Sequence, residues 1–106
     1  GAEALSSLLA LSPRPTAVCC ISDENAIPLV HALRSYGFRV PEDISVIGFD
    51  DWPMAQALNI STVRHDPRSY GALAADAARG EILTESCIVV PTTLMLRGTT
   101  GPAPRD

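Results

Sequence analysis

The segment VPEDISVIGFDD, Val40 to Asp51, constrains the fold more than any other part of the chain. Ile44, Val46, Ile47 and Phe49 form a nearly unbroken apolar run. A strand in which polar and apolar residues do not alternate is one covered on both faces, as in parallel sheets flanked by helices. Pro41, Glu42 and Asp43 ahead of it are turn residues, and Gly48 lets another group approach the backbone closely. Asp50 and Asp51 fall where the strand leaves the sheet. Open α/β sheets bind ligands outside the carboxyl ends of their strands, so Asp50 is the first candidate for a ligand contact. Neighbouring strand residues face opposite ways, so the two acids do not converge as a general acid and base. Asp51 is expected to cap the turn that follows.

Around this strand the chain alternates helical and extended signals. Leu5, Leu8 and Leu9 lie at helical spacing in Ala2 to Leu11, and Ser12 to Pro15 ends that helix. Thr16 to Ser22 reads as a second apolar strand. The next helix starts from Asp23 or from Asn25, which puts Pro28 at its fifth or third position. Its inner face carries Ala26, Leu29, Val30 and Leu33, His31 falls on the outer or flanking side, and Gly37 fits the left-handed position past its end. Trp52 to Leu58 reads as one or two helical turns and Ser61 to Arg64 as a short strand. Asp66 and Pro67, cap and first residue, open a helix that stops at Gly80. Cys87 to Val90 and Leu94 to Leu96 read as further extended segments, and Gly98 to Asp106 as a flexible tail. Three strands thus end in polar clusters, Ser22 with Asp23, Asp50 with Asp51, and His65 with Asp66. Parallel strands would bring all three to one rim.

The bulk properties exclude several function classes. With 106 residues, 46% of them hydrophobic and 19% charged, the chain is expected to be one globular domain. A net charge of −4 opposes nucleic-acid binding by this segment, which would need a basic face. No apolar run reaches the length of a membrane span and no signal peptide opens the chain. Starting at Gly1 inside helical sequence, it reads as part of something longer. The three cysteines are expected to be reduced and buried, because Cys19 and Cys20 are adjacent in a strand and poorly placed to bond to each other. Cysteines and histidines are too scattered for a metal site. Nucleophile elbow, dinucleotide fingerprint and phosphate loop are all absent. The rim therefore suits binding, with no catalytic residues, metal or cofactor implied.

In order, PTAVCCISDENAI, LRSYGFRVPEDISVIGFDD, STVRHDPRSYGALAADA and VVPTTLMLRGTT resemble the carboxyl-terminal subdomain of the LacI/GalR bacterial transcription regulators. The resemblance covers nearly the whole chain. It implies an α/β fold, the three-layer parallel-sheet (Rossmann-like) half of a periplasmic-binding-protein-like domain, over residues 1–97, with 98–106 as tail. It further implies a small-molecule effector, a sugar or nucleobase, bound between two lobes. By position Asp50 matches the aspartate that holds effector hydroxyls or ring nitrogens, Ser22 stands where many members carry Asn, and His65 where a polar pocket residue is usual. Asp23 and Trp52 stand beside them as supporting residues. Pro28 replaces a small residue, and Asn59 and Ile60 stand where a Pro-Pro pair is common.

The family resemblance implies a cytoplasmic homodimer that meets operator DNA only through an amino-terminal region absent from this chain. The helix bearing His31, Arg34 and Ser35 and the segment Trp52 to Leu58 are the expected interface. The alternatives are a lobe of a periplasmic sugar-binding protein serving transport and, from another class, a small α/β enzyme using His65 and Asp50.

Overall fold

The computed structural model describes residues 2–82 and 87–105. Its elements run α1 (Ala2–Leu9), β1 (Ala17–Cys19), α2 (Asp23–Ser35), β2 (Ser45–Ile47), α3 (Pro53–Ala57), β3 (Thr62–Arg64), α4 (Pro67–Ala78) and β4 (Thr93–Met95). β1 and β2 pair in parallel, with Val18 opposite Val46. Ile47 makes a parallel bridge to Ser61, and β4 then runs antiparallel to β3. Backbone bonds carry the sheet past the ends of β1 and β2. Asp23 N donates to Phe49 O (2.8 Å), Gly48 N to Ser61 O (2.9 Å) and Asp50 N to Val63 O (2.9 Å). These bonds align the three polar strand ends along one rim.

The core joins Leu5 and Leu8 of α1, Ala26, Leu29, Val30 and Leu33 of α2, Ala55 of α3, and Val40, Ile44, Val46 and Ile60. Burying such side chains is the main favourable term in a domain of this size. Helix α2 ends in a Schellman motif at the predicted glycine. Gly37 has φ +87°, Gly37 N donates to Arg34 O (3.1 Å), Phe38 N donates to Leu33 O (3.0 Å), and Phe38 packs on the core. The other end of α2 departs from both expected starts. Ser22 is the N-cap and Asp23 the first helical residue, so Pro28 lies inside the helix. Packing of the inner face outweighs the bond that Pro28 cannot make. The turn into β2 is fixed by Arg39 N donating to Asp43 Oδ2 (2.7 Å) and by the two side chains' ion pair. Hydrogen bonds from Arg39 hold the Asp43 carboxyl down at about 2.

Several expectations are corrected. Cys19 is exposed, Cys20 half-buried and Cys87 exposed, all as free thiols, because the side of β1 bearing Ala17 and Cys19 is uncovered. Burial, with a contribution from Cys19, pushes the Cys20 thiol up. Phe49 is exposed, so the apolar run is not covered along its full length. Cys87 to Val90 is not a strand. No residue of α4 is buried, although Tyr70, Leu73, Ala74 and Ala77 repeat at helical spacing.

Residues 98–101 pack against β2 and Ser61. Thr99 is fully buried: Val46 N donates to its carbonyl (2.7 Å), its Oγ1 donates to Val46 O (2.7 Å), and Ser61 N donates to that Oγ1 (2.9 Å). Ser45 Oγ accepts from Gly101 N (3.1 Å), and the Ser61 and Thr100 hydroxyls are 2.7 Å apart. A Gly/Thr segment enters the interior because its hydroxyls satisfy the backbone groups it buries.

Two substitutions test this architecture in urea unfolding. Gly48→Ala places a methyl 2.2 Å from Asp23 Oδ1 and 3.2 Å from its Cα, and we expect it to destabilise by about 1–3 kcal/mol. Thr99→Val leaves Ser61 N and Val46 O without their partner, and we expect a loss of about 1–3 kcal/mol. An unchanged midpoint for Thr99→Val would mean that residues 98–101 do not pack as described.

Candidate functional site: the carboxyl rim of the sheet

Asp23 is the deepest polar group at the rim. Fully buried at the amino end of α2, it accepts from Thr62 Oγ1 through Oδ1 (2.6 Å) and from Trp52 N through Oδ2 (2.7 Å). A carboxylate at a helix amino terminus also meets the positive end of the helix dipole. Asp23 therefore ties α2, β3 and the loop after β2 together and has no surface to offer a ligand. Trp52 contributes its backbone amide to that node and leaves its indole partly exposed.

Asp50 and Asp51 diverge because the chain leaves the strand before reaching them. β2 ends at Ile47, and Asp50 and Asp51 have φ values of 109° and 60°. For non-glycine residues such backbone costs on the order of 1–3 kcal/mol each and persists only where surrounding contacts impose it. Asp50 turns to the rim, where its Oδ1 lies 3.0 Å from His65 Nε2, with the Asp50 side chain 27% and the His65 side chain 19% exposed. An ionised carboxylate only accepts hydrogen bonds, so the Nε2 of this pair carries the proton. The imidazole is stacked between Phe49 and Tyr70, at centroid distances of 5.4 and 5.5 Å, and its Nδ1 is buried with no hydrogen-bond partner among the described residues.

Asp51 is not a turn cap but the centre of a buried ion-pair cluster. Its side chain is 1% exposed, its Oδ2 accepts from Arg64 Nε (2.5 Å) and its Oδ1 from Arg97 Nη2 (2.7 Å). Arg97 also donates through Nη1 to Ile60 O (2.9 Å). Burial by itself would raise the Asp51 carboxyl, but hydrogen bonds and charge from Arg97 and Arg64 hold it below the usual carboxylate range. Removing one arginine would leave a buried charge partly uncompensated.

Of the three expected contact residues, the structure brings Asp50 and His65 together. Ser22 Oγ accepts from Asn25 Nδ2 (2.9 Å), and the amide of the next residue, Asp23 N, donates to Phe49 O (2.8 Å). Asp66 does the capping work read from the sequence, accepting from Arg68 N (3.0 Å) and Ser69 Oγ (2.7 Å), and these bonds, led by Ser69, lower its carboxyl. Sequence reading missed the aromatic stack on His65 and the Asp51 cluster. The only signals for them were Tyr70 five residues after His65, and Arg64 and Arg97 as unassigned arginines. Among the described residues no group of three or more His, Cys, Asp or Glu side chains could hold a metal ion. The rim offers one partly exposed carboxylate and apolar ring surface, a combination suited to accepting hydrogen bonds from a small polar ligand.

Comparison with known proteins gives this geometry its context. A family model described as the periplasmic binding protein-like domain matches residues 1–100. The probable transcriptional repressor ExuR of Bacillus subtilis is 44% identical over 77 residues, covering 71% of this chain and 23% of ExuR. A LacI transcriptional regulator from a Rhodococcus species superposes with a TM-score of 0.82 at 32% identity, covering 98% of this chain and 40% of that one. The lac repressor dimer bound to operator and the anti-inducer ONPF superposes with a TM-score of 0.70 at 28% identity, over 81% of this chain and 32% of that one. The chain belongs to the periplasmic-binding-protein-like domain family, in the branch formed by the effector-binding domains of LacI-type transcription regulators. It spans about a quarter of the length of the curated relatives it matches.

The Asp51 cluster makes a pH prediction. Its folded-state value lies below the unfolded one, so its contribution is fully present above about pH 4 and is lost as pH falls through the folded value. Stability measured from pH 6 down to pH 2 is expected to fall more steeply for the natural chain than for Asp51→Asn. Parallel curves would exclude Asp51 as a contributor to the acid limb.

Proposed function

We propose that this chain is the effector-sensing and dimerising part of a cytoplasmic, one-component transcription regulator. Asp50 is its principal effector contact, and His65 and Ser22 are flanking contacts. The observation that carries this reading is the Asp50 carboxylate, partly exposed at the strand rim and oriented by His65, in a chain whose relatives are transcriptional repressors. Operator DNA would be met by a region outside this chain, since a net charge of −4 provides no phosphate-binding face. The curated relatives it matches are transcriptional repressors, which supports a non-enzymatic reading. Among the described residues no helix is long and apolar enough to cross a membrane.

Dimerisation is proposed through α2 and the Trp52 to Leu58 segment. Between them lies a cleft of about 240 Å³ lined by Ile27, Val30, His31, Arg34, Leu58 and Ile60. Partly exposed Leu58 beside the aliphatic side chains of α2 supports an apolar contact there.

Calorimetric titration of the intact regulator with a panel of monosaccharides and nucleobases tests the site. For a compound that binds, Asp50→Ala is expected to weaken affinity by about 10- to 100-fold, the worth of a hydrogen bond to a charged group. Unchanged affinity would remove Asp50 from the pocket. In sedimentation at micromolar concentration the regulator is expected at dimer mass, and Leu58→Arg is expected to shift it toward monomer.

A further inference from the structure

Asp50 is held at its backbone by one bond, from its N to Val63 O at 2.9 Å. Its left-handed φ of 109° is followed by another left-handed residue, and its own side-chain contact is a single bond to the half-buried His65. Its neighbours are fixed on both sides. Phe49 O is bound by Asp23 N at 2.8 Å, and beyond Asp51 the Trp52 amide is bound by Asp23 Oδ2 at 2.7 Å. Asp51 is gripped by Arg64 and Arg97, and Arg97 is itself anchored, through Nη1 to Ile60 O and through its backbone N to Ser61 Oγ (2.8 Å). Arg64 and His65 are consecutive at the end of β3, as Asp50 and Asp51 are consecutive after β2. The buried Asp51 contact to Arg64 and the rim contact of Asp50 to His65 therefore form one double pairing between two dipeptides. Displacing the buried half displaces the exposed half.

We propose that Asp51, held by Arg64 and Arg97, is the positioning residue for Asp50, fixing its carboxylate against His65 at the place where a ligand is met. This rests on the reading of Asp50 as the ligand contact. Asp51 itself touches no ligand, because its side chain is 1% exposed and both oxygens are taken. The same arginines that neutralise Asp51 leave Asp50 as the free acceptor of the pair.

The test is nitrogen NMR of the histidine rings in the full chain, with His65 assigned from His65→Gln and a histidine-containing model peptide as the reference. In the natural chain His65 is expected to show a protonated, hydrogen-bonded Nε2. In Asp51→Asn its ring signals are expected to move toward those of the model peptide, while amide signals away from residues 49–52 and 64–65 stay in place. Arg97→Lys keeps the charge but cannot serve Asp51 Oδ1 and Ile60 O together, and is expected to move His65 part of the way. His65 signals unchanged in folded Asp51→Asn would overturn the proposal. If that variant does not fold, unchanged signals in Arg97→Lys would overturn it. Ligand affinity surviving Asp50→Ala, with His65 still displaced by Asp51→Asn, would fell the ligand reading and leave the positioning role standing.

Discussion

One buried carboxylate organises the rim formed by the strand ends. Asp23 sits at the start of α2 with no solvent to share its charge, and Thr62 of β3 and the Trp52 amide of the loop after β2 supply its hydrogen bonds. A buried charge is tolerated only when its lone pairs are met, so the geometry of three segments must converge on this point. Gly48 is part of the same constraint, since any side chain there would collide with Asp23. From this node the two following acids are sent in opposite directions, Asp50 to the surface and Asp51 into the arginine pair.

The division of labour among the four acids follows from their surroundings. Asp66 is exposed and caps a helix, Asp23 is buried with both oxygens hydrogen-bonded, Asp51 is buried and paired with two arginines, and Asp50 alone of the four stays partly exposed with an uncommitted oxygen. The imidazole of His65, stacked between Phe49 and Tyr70, lies beside Asp50.

The parts of the fold that follow local rules were legible in the sequence. Gly37 and Phe38 closed α2 as its periodicity required, Asp66 and Pro67 opened α4, and the polar ends of three strands marked the rim. The rest depends on partners distant in the chain. Nothing near Asp51 announces Arg97, and a threonine in a Gly/Thr/Pro segment looks solvated until a strand edge is found beside it. Pro28 argued for a later helix start than the packing of Asp23 allows. Cys19 looked buried because its strand was apolar, and the strand has one uncovered side. Asp50 and His65 were found from strand ends alone, whereas their contact, and the stack that orients it, needed coordinates.

The closure of β2 by Thr99 also dictates an order of events during synthesis. Val46 meets its partner 53 residues downstream, so its N–H and C=O stay open after Ile47 and Gly48 have already met Ser61. Pairing across that separation raises contact order and slows folding. Until then the strand carrying the most apolar sequence in the chain exposes open hydrogen-bonding groups. For this protein the Gly/Thr segment is the latch on a nascent sheet, and its late arrival defines the interval in which a chaperone would be most useful.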